Sequence, residues 1–293
     1  MNATAQQLLS SSLSGQTRQA YKRSWQKYRE YLASSKIAFQ FPLSEIDVVN
    51  FIAYLFDLNY APGTITSIIS ALAFVHKLLK VNDPSESFLV KKVLQGCRKS
   101  NASSKDGRLP ITPYILDRIL HASQTTIADG YNRVLFQAMC SLAFHALLRI
   151  GEMTDSQNNL SFDCIQLEQN FLILQFKTFK YSEGSTSTHR VNAKPLMFHC
   201  PVRNMARYVA MRGYKTGPLF ISTKGTAVSR NAFTKDLQNA LNFVGLPTKR
   251  YTSHSFRIGA ASFMASQGAS DAQIKRAGRW SSNAFLAYIR INS

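Results

Sequence analysis

A small set of side chains in this sequence is of types that could act on a phosphate ester. His254-Ser-Phe-Arg257 sets an imidazole and a guanidinium three residues apart, which on a helix is one face. Arg149 lies in Ala146-Leu-Leu-Arg-Ile-Gly-Glu152, after an apolar run and three residues before a carboxylate. Gly278-Arg-Trp280 and Ala287-Tyr-Ile-Arg290 follow near the end. A guanidinium can grip two phosphate oxygens at once, which an ammonium does less well. An imidazole moves protons near neutral pH. A phenol, with a pKa of about 10, is a poor nucleophile unless its proton is accepted or the phosphate is activated. Each group also has an ordinary reading. His254 and Arg257 could be a surface pair, and Arg149 could cap a helix C-terminus or pair with Glu152. Trp280 and Tyr288 could be core residues of an amphipathic terminal helix, beside Phe285 and Ile289.

The elements that must position these residues fall into two groups. The front part reads as four helices. From about Thr17 to Ala33, Tyr21, Trp25, Tyr28 and Leu32 recur four, three and four apart on one face, and Arg18, Lys22 and Arg29 occupy the other. Ser44 and Asp47 form a near capping box ahead of Val48, Phe51, Ile52 and Leu55. Pro62-Gly63 reads as a break, with a third helix from Thr64 to Leu79. Asp83-Pro84 breaks the chain again before a fourth helix to about Arg98. Residues 1–100 thus predict an all-α domain, and residues 101–110 a polar, exposed linker. Residues 111–293 read as mixed. Thr112-Pro113 is a cap followed by proline at the first helical position. A long apolar helix is predicted from Tyr131 to Leu148, and short strands at Asp163–Leu167, Phe171–Phe176 and Arg190–Met197. Lys177 to His189 reads as a hairpin loop. Helices return at Pro201–Met211, Ser229–Val244, Ser253–Gln267, Asp271–Ala277 and Asn283–Ile289. The fold class is therefore mainly α with a small antiparallel sheet.

Composition narrows the partners. Of 293 residues, 35 are Lys or Arg and 16 are Asp or Glu, a net charge of +19 carried by both halves. Polyphosphate is the partner best matched to that distribution. The hydrophobic fraction of 45% supports packed cores. The start is polar and Ser-rich, so no secretory leader is expected. The longest apolar stretch is too short for a bilayer, so no membrane association is expected either. Cys97, Cys140, Cys164 and Cys200 show no C-x-x-C spacing and read as free thiols. His199-Cys200 lacks partners at ligand spacing, so no metal and no other cofactor is expected.

Taken in order, Arg149, a hairpin lysine, His254-x-x-Arg257, Trp280 and Tyr288 resemble the tyrosine recombinase family of integrases and site-specific recombinases. That family's pattern is Arg, Lys, His-x-x-Arg, His or Trp, then Tyr. The resemblance spans the second part fully, and the front helices look like the family's core-binding domain. It implies a two-domain, C-shaped clamp around duplex DNA, with a catalytic domain over residues 111–293. It implies that Arg149 and Arg257 hold the nonbridging oxygens of the scissile phosphate. His254 and Trp280 would hydrogen-bond that phosphate, and Tyr288 would attack it to give a 3′-phosphotyrosyl intermediate. A hairpin lysine would protonate the 5′ leaving group. Lys177-Thr178 matches the Lys-Thr that family members usually show at the strand end, whereas register against the preceding strand favours Lys180; the other lysine would be a phosphate contact or a solvated strand end. Glu152 is expected to orient Arg149. The basic helix bearing Arg18, Lys22, Arg23 and Lys27 is expected to cross a DNA groove.

Finer features look like eukaryotic Crypton and DIRS-like mobile-element recombinases. They are His-Ser-Phe-Arg-Ile-Gly-Ala-Ala, Gly-Arg-Trp, and eight residues from Trp280 to Tyr288. The resemblance implies a tetramer on DNA, acting in the nucleus of a eukaryotic host and otherwise in the cytoplasm. Many relatives carry a further helix after the tyrosine. Here five residues follow Tyr288, so either the chain is trimmed or assembly uses another surface. Two alternatives remain. A type IB topoisomerase has the same order of residues, though the four-helix front favours a recombinase. A non-catalytic DNA-binding protein derived from a mobile element is the other, and the filled site positions count against it.

Overall fold

The computed structural model describes residues 2–100, 106–176 and 186–290. The chain divides into two compact units, Met1–Asp106 and Gly107–Ser293.

The first unit is helical: α1 (Ala3–Ser11), α2 (Gly15–Ser34), α3 (Glu45–Asp57), α4 (Pro62–Leu78), a 3-10 turn (Pro84–Glu86) and α5 (Phe88–Ser100). Its starts are written in hydrogen-bonding side chains. Ser14 Oγ accepts from the Thr17 amide, and Ser44 and Asp47 close a reciprocal capping box. Tyr28, Tyr31, Phe51, Ile52 and Leu55 are buried together, with the Tyr28 and Phe51 rings edge-on at 5.0 Å. Two expectations change. The polar start forms α1, because the Asn2 side chain accepts from the Ala5 amide and caps it. Pro62-Gly63 opens α4 rather than breaking the chain, since proline at a helix's first position loses no intrahelical bond.

The second unit holds α6 (Pro113–Thr126), α7 (Gly130–His145) and the single turn α8 (Ile150–Met153). After a 3-10 turn come β1 (Ile165–Leu167), β2 (Phe171–Phe176) and β3 (Ser187–Asn192), then α9 (Pro201–Arg212) and α10 (Arg230–Phe243). Then come α11 (Ser253–Ser266), α12 (Asp271–Gly278) and a 3-10 helix (Asn283–Tyr288). The strands form an antiparallel sheet in the order β1-β2-β3, with Ile165 opposite Leu174 and Leu172 opposite Val191. α7 is buried from Val134 through Phe144 and forms the spine of the core.

Several predicted boundaries shift. β1 spans Ile165–Leu167 rather than Asp163–Leu167, because Phe162–Cys164 forms a 3-10 turn. α7 stops at His145 rather than Leu148, because Leu147 turns into the left-handed region at φ 48°. β3 spans Ser187–Asn192 rather than Arg190–Met197. Pro195 has no amide to donate to a ladder, and the chain turns there, with the Met197 amide bonded to the Lys194 carbonyl at 2.9 Å. The terminal helix is 3-10 and ends at Tyr288. Part of the expected linker also belongs to this unit. The Leu109 amide donates to the Arg250 carbonyl at 2.8 Å, and Arg250 Nε to the Gly107 carbonyl at 3.2 Å.

α11 packs against the chain at Ile111 so closely that only a glycine fits. A Cβ on Gly259 would lie 1.8 Å from the Ile111 carbonyl oxygen. Beneath α7, His145 stacks on His199 at 5.3 Å, and His199 Nδ1 lies 2.7 Å from Asp117 Oδ1. Burial, with Lys194 and His199 nearby, pushes the His145 pKa down to about 3.

Gly259→Ala should lower stability by about 1–3 kcal/mol, because the obstacle is backbone and cannot rotate away. An unchanged urea midpoint would refute the packing argument. His145 gives a pH signature. Below its ordinary pKa of about 6.5 the unfolded chain binds a proton that the folded state refuses. Stability should therefore fall as pH drops from 6.5 toward 3, by about 2 kcal/mol at pH 5 from this group alone. His145→Phe should flatten that part of the profile; a profile identical to the parent's would count against it.

Candidate functional site

Four segments of the second unit converge at one place: the turn after α7, the first turn of α11, the end of α12 and the terminal 3-10 helix. The turn after α7 supplies the frame. Leu147 is left-handed, which points its carbonyl inward, and Arg149 is extended at the N-cap of α8. The Arg149 amide donates to Glu152 Oε2 at 2.8 Å, and Arg149 Nη1 donates to Oε1 at 3.2 Å. Glu152 is thus both the cap of α8 and the partner of the Arg149 side chain. The carboxylate is buried, and the Arg149 side chain keeps 27% of its surface open.

α11 begins at Thr252, whose hydroxyl accepts from the His254 amide at 3.2 Å. His254 is half-buried on the first turn, and Arg257 follows on the same face. Arg257 is only 1% exposed. Its guanidinium donates to the Leu147 carbonyl and, at 2.9 Å, to the Gly278 carbonyl. Its central carbon lies 4.4 Å over the Trp280 ring and 5.6 Å from the Tyr288 ring centre. Among the described residues Arg257 Nε has no hydrogen-bond partner.

The end of α12 explains the Gly-Arg-Trp run. A Cβ on Gly278 would fall 1.7 Å from the Trp280 ring, so glycine makes room for the indole. Arg279 is left-handed at φ 53° and sends its side chain inward. It donates to Glu152 Oε2 at 2.8 Å, to the Ala146 carbonyl at 3.2 Å and to the Leu147 carbonyl at 3.3 Å. The 3-10 helix is anchored by buried Phe285. Tyr288, half-buried, has its ring 4.7 Å from that of His254 and 5.0 Å from that of Trp280. Ser262 Oγ donates to the Tyr288 carbonyl at 3.2 Å and accepts from the Arg290 amide at 2.7 Å.

The structure therefore brings together Arg149, Glu152, His254, Arg257, Trp280 and Tyr288. It does not open both arginines equally: Arg149 faces solvent in part, whereas the Arg257 guanidinium is committed to backbone carbonyls. Lys177 and Lys180 lie outside the described residues. Arg18, Lys22 and Arg23 are exposed on α2 of the first unit. Lys27 is turned onto the Tyr60 ring at 5.0 Å, with Glu30 at 3.9 Å. Arg18, Lys22 and Arg29 also line a cavity of about 670 Å³, whose walls include Leu9, Trp25, Phe74 and Leu78. Arg279 and Ser262 were missed from the sequence. Arg279 stands inside the quoted Gly-Arg-Trp run, yet nothing in residue type foretells a left-handed arginine.

The charge balance of the site is lopsided. Three guanidiniums surround one carboxylate. Burial, and then the charges of Arg149 and Arg279, push the Arg257 pKa down, against the opposing pull of Glu152 and Tyr288. Burial also lowers that of Arg279, despite Glu152. Two excess positive charges at a half-enclosed site make a receptor for a doubly charged anion or a phosphodiester.

The phage integrase family model matches residues 111–291. No curated protein sequence matches the chain. Several solved structures are similar to it. The XerH site-specific recombinase bound to palindromic difH substrate, in a post-cleavage complex, has a TM-score of 0.68 and 17% identity, covering 92% of this chain and 75% of that one. The Tn1549 transposon integrase in complex with circular intermediate DNA has a TM-score of 0.67 and 15% identity, covering 99% and 94%. A lambda integrase dimer bound to a COC′ core site has a TM-score of 0.63 and 15% identity, covering 96% and 94%. At these identities the likeness is one of fold.

Inorganic phosphate should bind this site and raise the melting temperature. At tenfold excess over its Kd it should add about 1.4 kcal/mol, or about 3–6 °C for a unit of this size. Phosphate also stabilises proteins by exclusion from their surface, so the comparison with Arg149→Ala decides. Equal shifts in the two proteins would show that no anion binds there.

Proposed function

Because the chain belongs to the phage integrase family, we propose that it is a DNA recombinase that cuts and rejoins strands with Tyr288 as nucleophile. One observation carries the reading: the Tyr288 ring packs on His254 and Trp280 beside a buried surplus of guanidinium charge. A phosphodiester is the ligand that such a surplus selects, and a phenol is the group that attacks it.

The reading gives each group one step. The Tyr288 hydroxyl oxygen attacks phosphorus, the bond from phosphorus to the 5′ oxygen breaks, and a 3′-phosphotyrosyl link forms. Arg149 meets a nonbridging oxygen with its open face. Arg257 acts from beneath, and comes into direct contact by exchanging a backbone carbonyl for a phosphate oxygen. His254 hydrogen-bonds the phosphate and assists the movement of the phenol proton. Trp280 donates its indole N–H, and Lys180 supplies a proton to the departing 5′ oxygen, with Lys177 on the DNA backbone. The covalent link conserves the energy of the broken bond, so rejoining reverses these steps without ATP.

Duplex DNA is the substrate, approached in part by Arg18, Lys22 and Arg23 on α2. Exchange between two duplexes takes four cleavages, which calls for a tetramer, with mobile-element integration or excision as its purpose. The run from His254 through Ala261 and the spacing from Trp280 to Tyr288 support a place near Crypton and DIRS-like recombinases, and a nuclear site of action in a eukaryotic host.

A nicked suicide duplex, which loses its leaving strand after cleavage, should trap a covalent protein–DNA adduct. Tyr288→Phe should reduce the adduct at least about a thousandfold while leaving duplex affinity intact. Adduct formation by Tyr288→Phe would remove Tyr288 from its role. Absence of any adduct with the parent chain, on its element's own ends, would leave only a DNA-binding protein. Supercoil relaxation without strand exchange would make it a topoisomerase.

A further inference from the structure

Arg279 bonds to three carbonyls and a carboxylate and lies over an aromatic ring, and the chemistry above gives it no task. It occupies a left-handed backbone conformation that L side chains rarely adopt. Such a conformation persists where the surroundings over-determine it. Its side chain is 2% exposed, and its guanidinium is paired with the buried Glu152 carboxylate as well as with carbonyls, so the reading above gives it no contact with DNA. Its guanidinium lies 3.9 Å over the Phe176 ring and donates to the Ala146, Leu147 and Ala277 carbonyls and to Glu152.

The division of the Glu152 oxygens shows what this achieves. Oε2 receives Arg279 Nη2 and the Arg149 amide, both at 2.8 Å. Oε1 is left for Arg149 Nη1 at 3.2 Å. A buried carboxylate held by Arg149 alone could rotate, and the Arg149 guanidinium would follow it. With Arg279 bonded to Oε2, the carboxylate is fixed and presents Oε1 to Arg149. Phe176, under the same guanidinium, is the last residue of β2, directly before Lys177. One side chain thus contacts both the frame of Arg149 and the last residue of β2.

We propose that Arg279 is a positioning residue: acting through Glu152, it sets the orientation of Arg149 toward the scissile phosphate. The proposal rests on the recombinase reading for its consequence in catalysis, but the orientation itself can be read without catalysis.

Arg279→Gly is the informative variant, because glycine takes the left-handed conformation freely while the guanidinium is lost. Single-turnover cleavage of the suicide duplex should slow by about 10- to 100-fold. The duplex Kd should change no more than about threefold, since Arg279 does not meet DNA. In NMR spectra of arginine-labelled protein, the Arg149 Nε–H signal should broaden or vanish in Arg279→Gly. Combined with Glu152→Gln, Arg279→Gly should slow cleavage no further than the worse single variant, as expected of residues acting in series. Arg279→Lys keeps a charge behind Glu152 and should restore part of the rate; it also replaces Arg279→Gly should that variant fail to fold. An unchanged Arg149 signal, or additive losses in the double variant, would overturn the proposal. If the parent chain forms no adduct, the recombinase reading falls, and the Arg149 signal alone still decides for or against Arg279.

Discussion

The carboxylate of Glu152 sits out of water between two arginines, and the rest of the site depends on that arrangement. A buried negative charge is tolerated only when it is paired and fully hydrogen-bonded. Here the pairing is done by Arg149 on one side and Arg279 on the other, with the Arg149 amide completing the shell. The same carboxylate starts α8 and so fixes the direction of the chain after the core helix α7. Electrostatics and backbone geometry are therefore a single constraint: loosening either would loosen Arg149.

Around this pair the fold solves a harder problem, which is to hold more positive charge than it neutralises. Three guanidiniums and one carboxylate leave an excess that burial makes unfavourable, as the lowered pKa of Arg257 records. The excess is offset in part because carbonyls accept from the terminal guanidinium N–H groups, though among the described residues neither the Arg257 nor the Arg279 Nε has a partner. The Leu147 carbonyl serves both Arg257 and Arg279, and the Gly278 carbonyl serves Arg257. Aromatic faces do the rest, with Trp280 under Arg257 and Phe176 under Arg279. On the proposed reading, an incoming phosphate would offset this excess and so contribute binding free energy without any contact with a base.

How much of this could be read from the residues alone follows from how local each signal is. His254 and Arg257 share a helix turn, and Arg149 and Glu152 a capping distance, so their types and spacing suffice. Tyr288 and Trp280 stand eight apart near the same end, within reach of one another once the chain turns. The helices of both units were legible because apolar residues recur at helical intervals beside serine and threonine caps. What escaped was set by long-range fit. α7 ends early because of a left-handed Leu147, which no propensity favours. β3 slides toward Ser187 because Pro195 lies in the run that alternation marked as strand. Pro62-Gly63 has the composition of a breaker yet starts α4, a choice that depends on what precedes it. Ser262 looked like any small residue in a helix; its value lies in the chain end that packs beside it.

That serine hydroxyl has a mechanical meaning. By holding the carbonyl of Tyr288 and the amide of Arg290, it moors the chain end to α11, the same rod that bears His254 and Arg257. Phenol, imidazole and guanidinium then travel as a single body whenever that rod is pushed. A neighbouring molecule pressing on the rod would leave their mutual spacing unaltered.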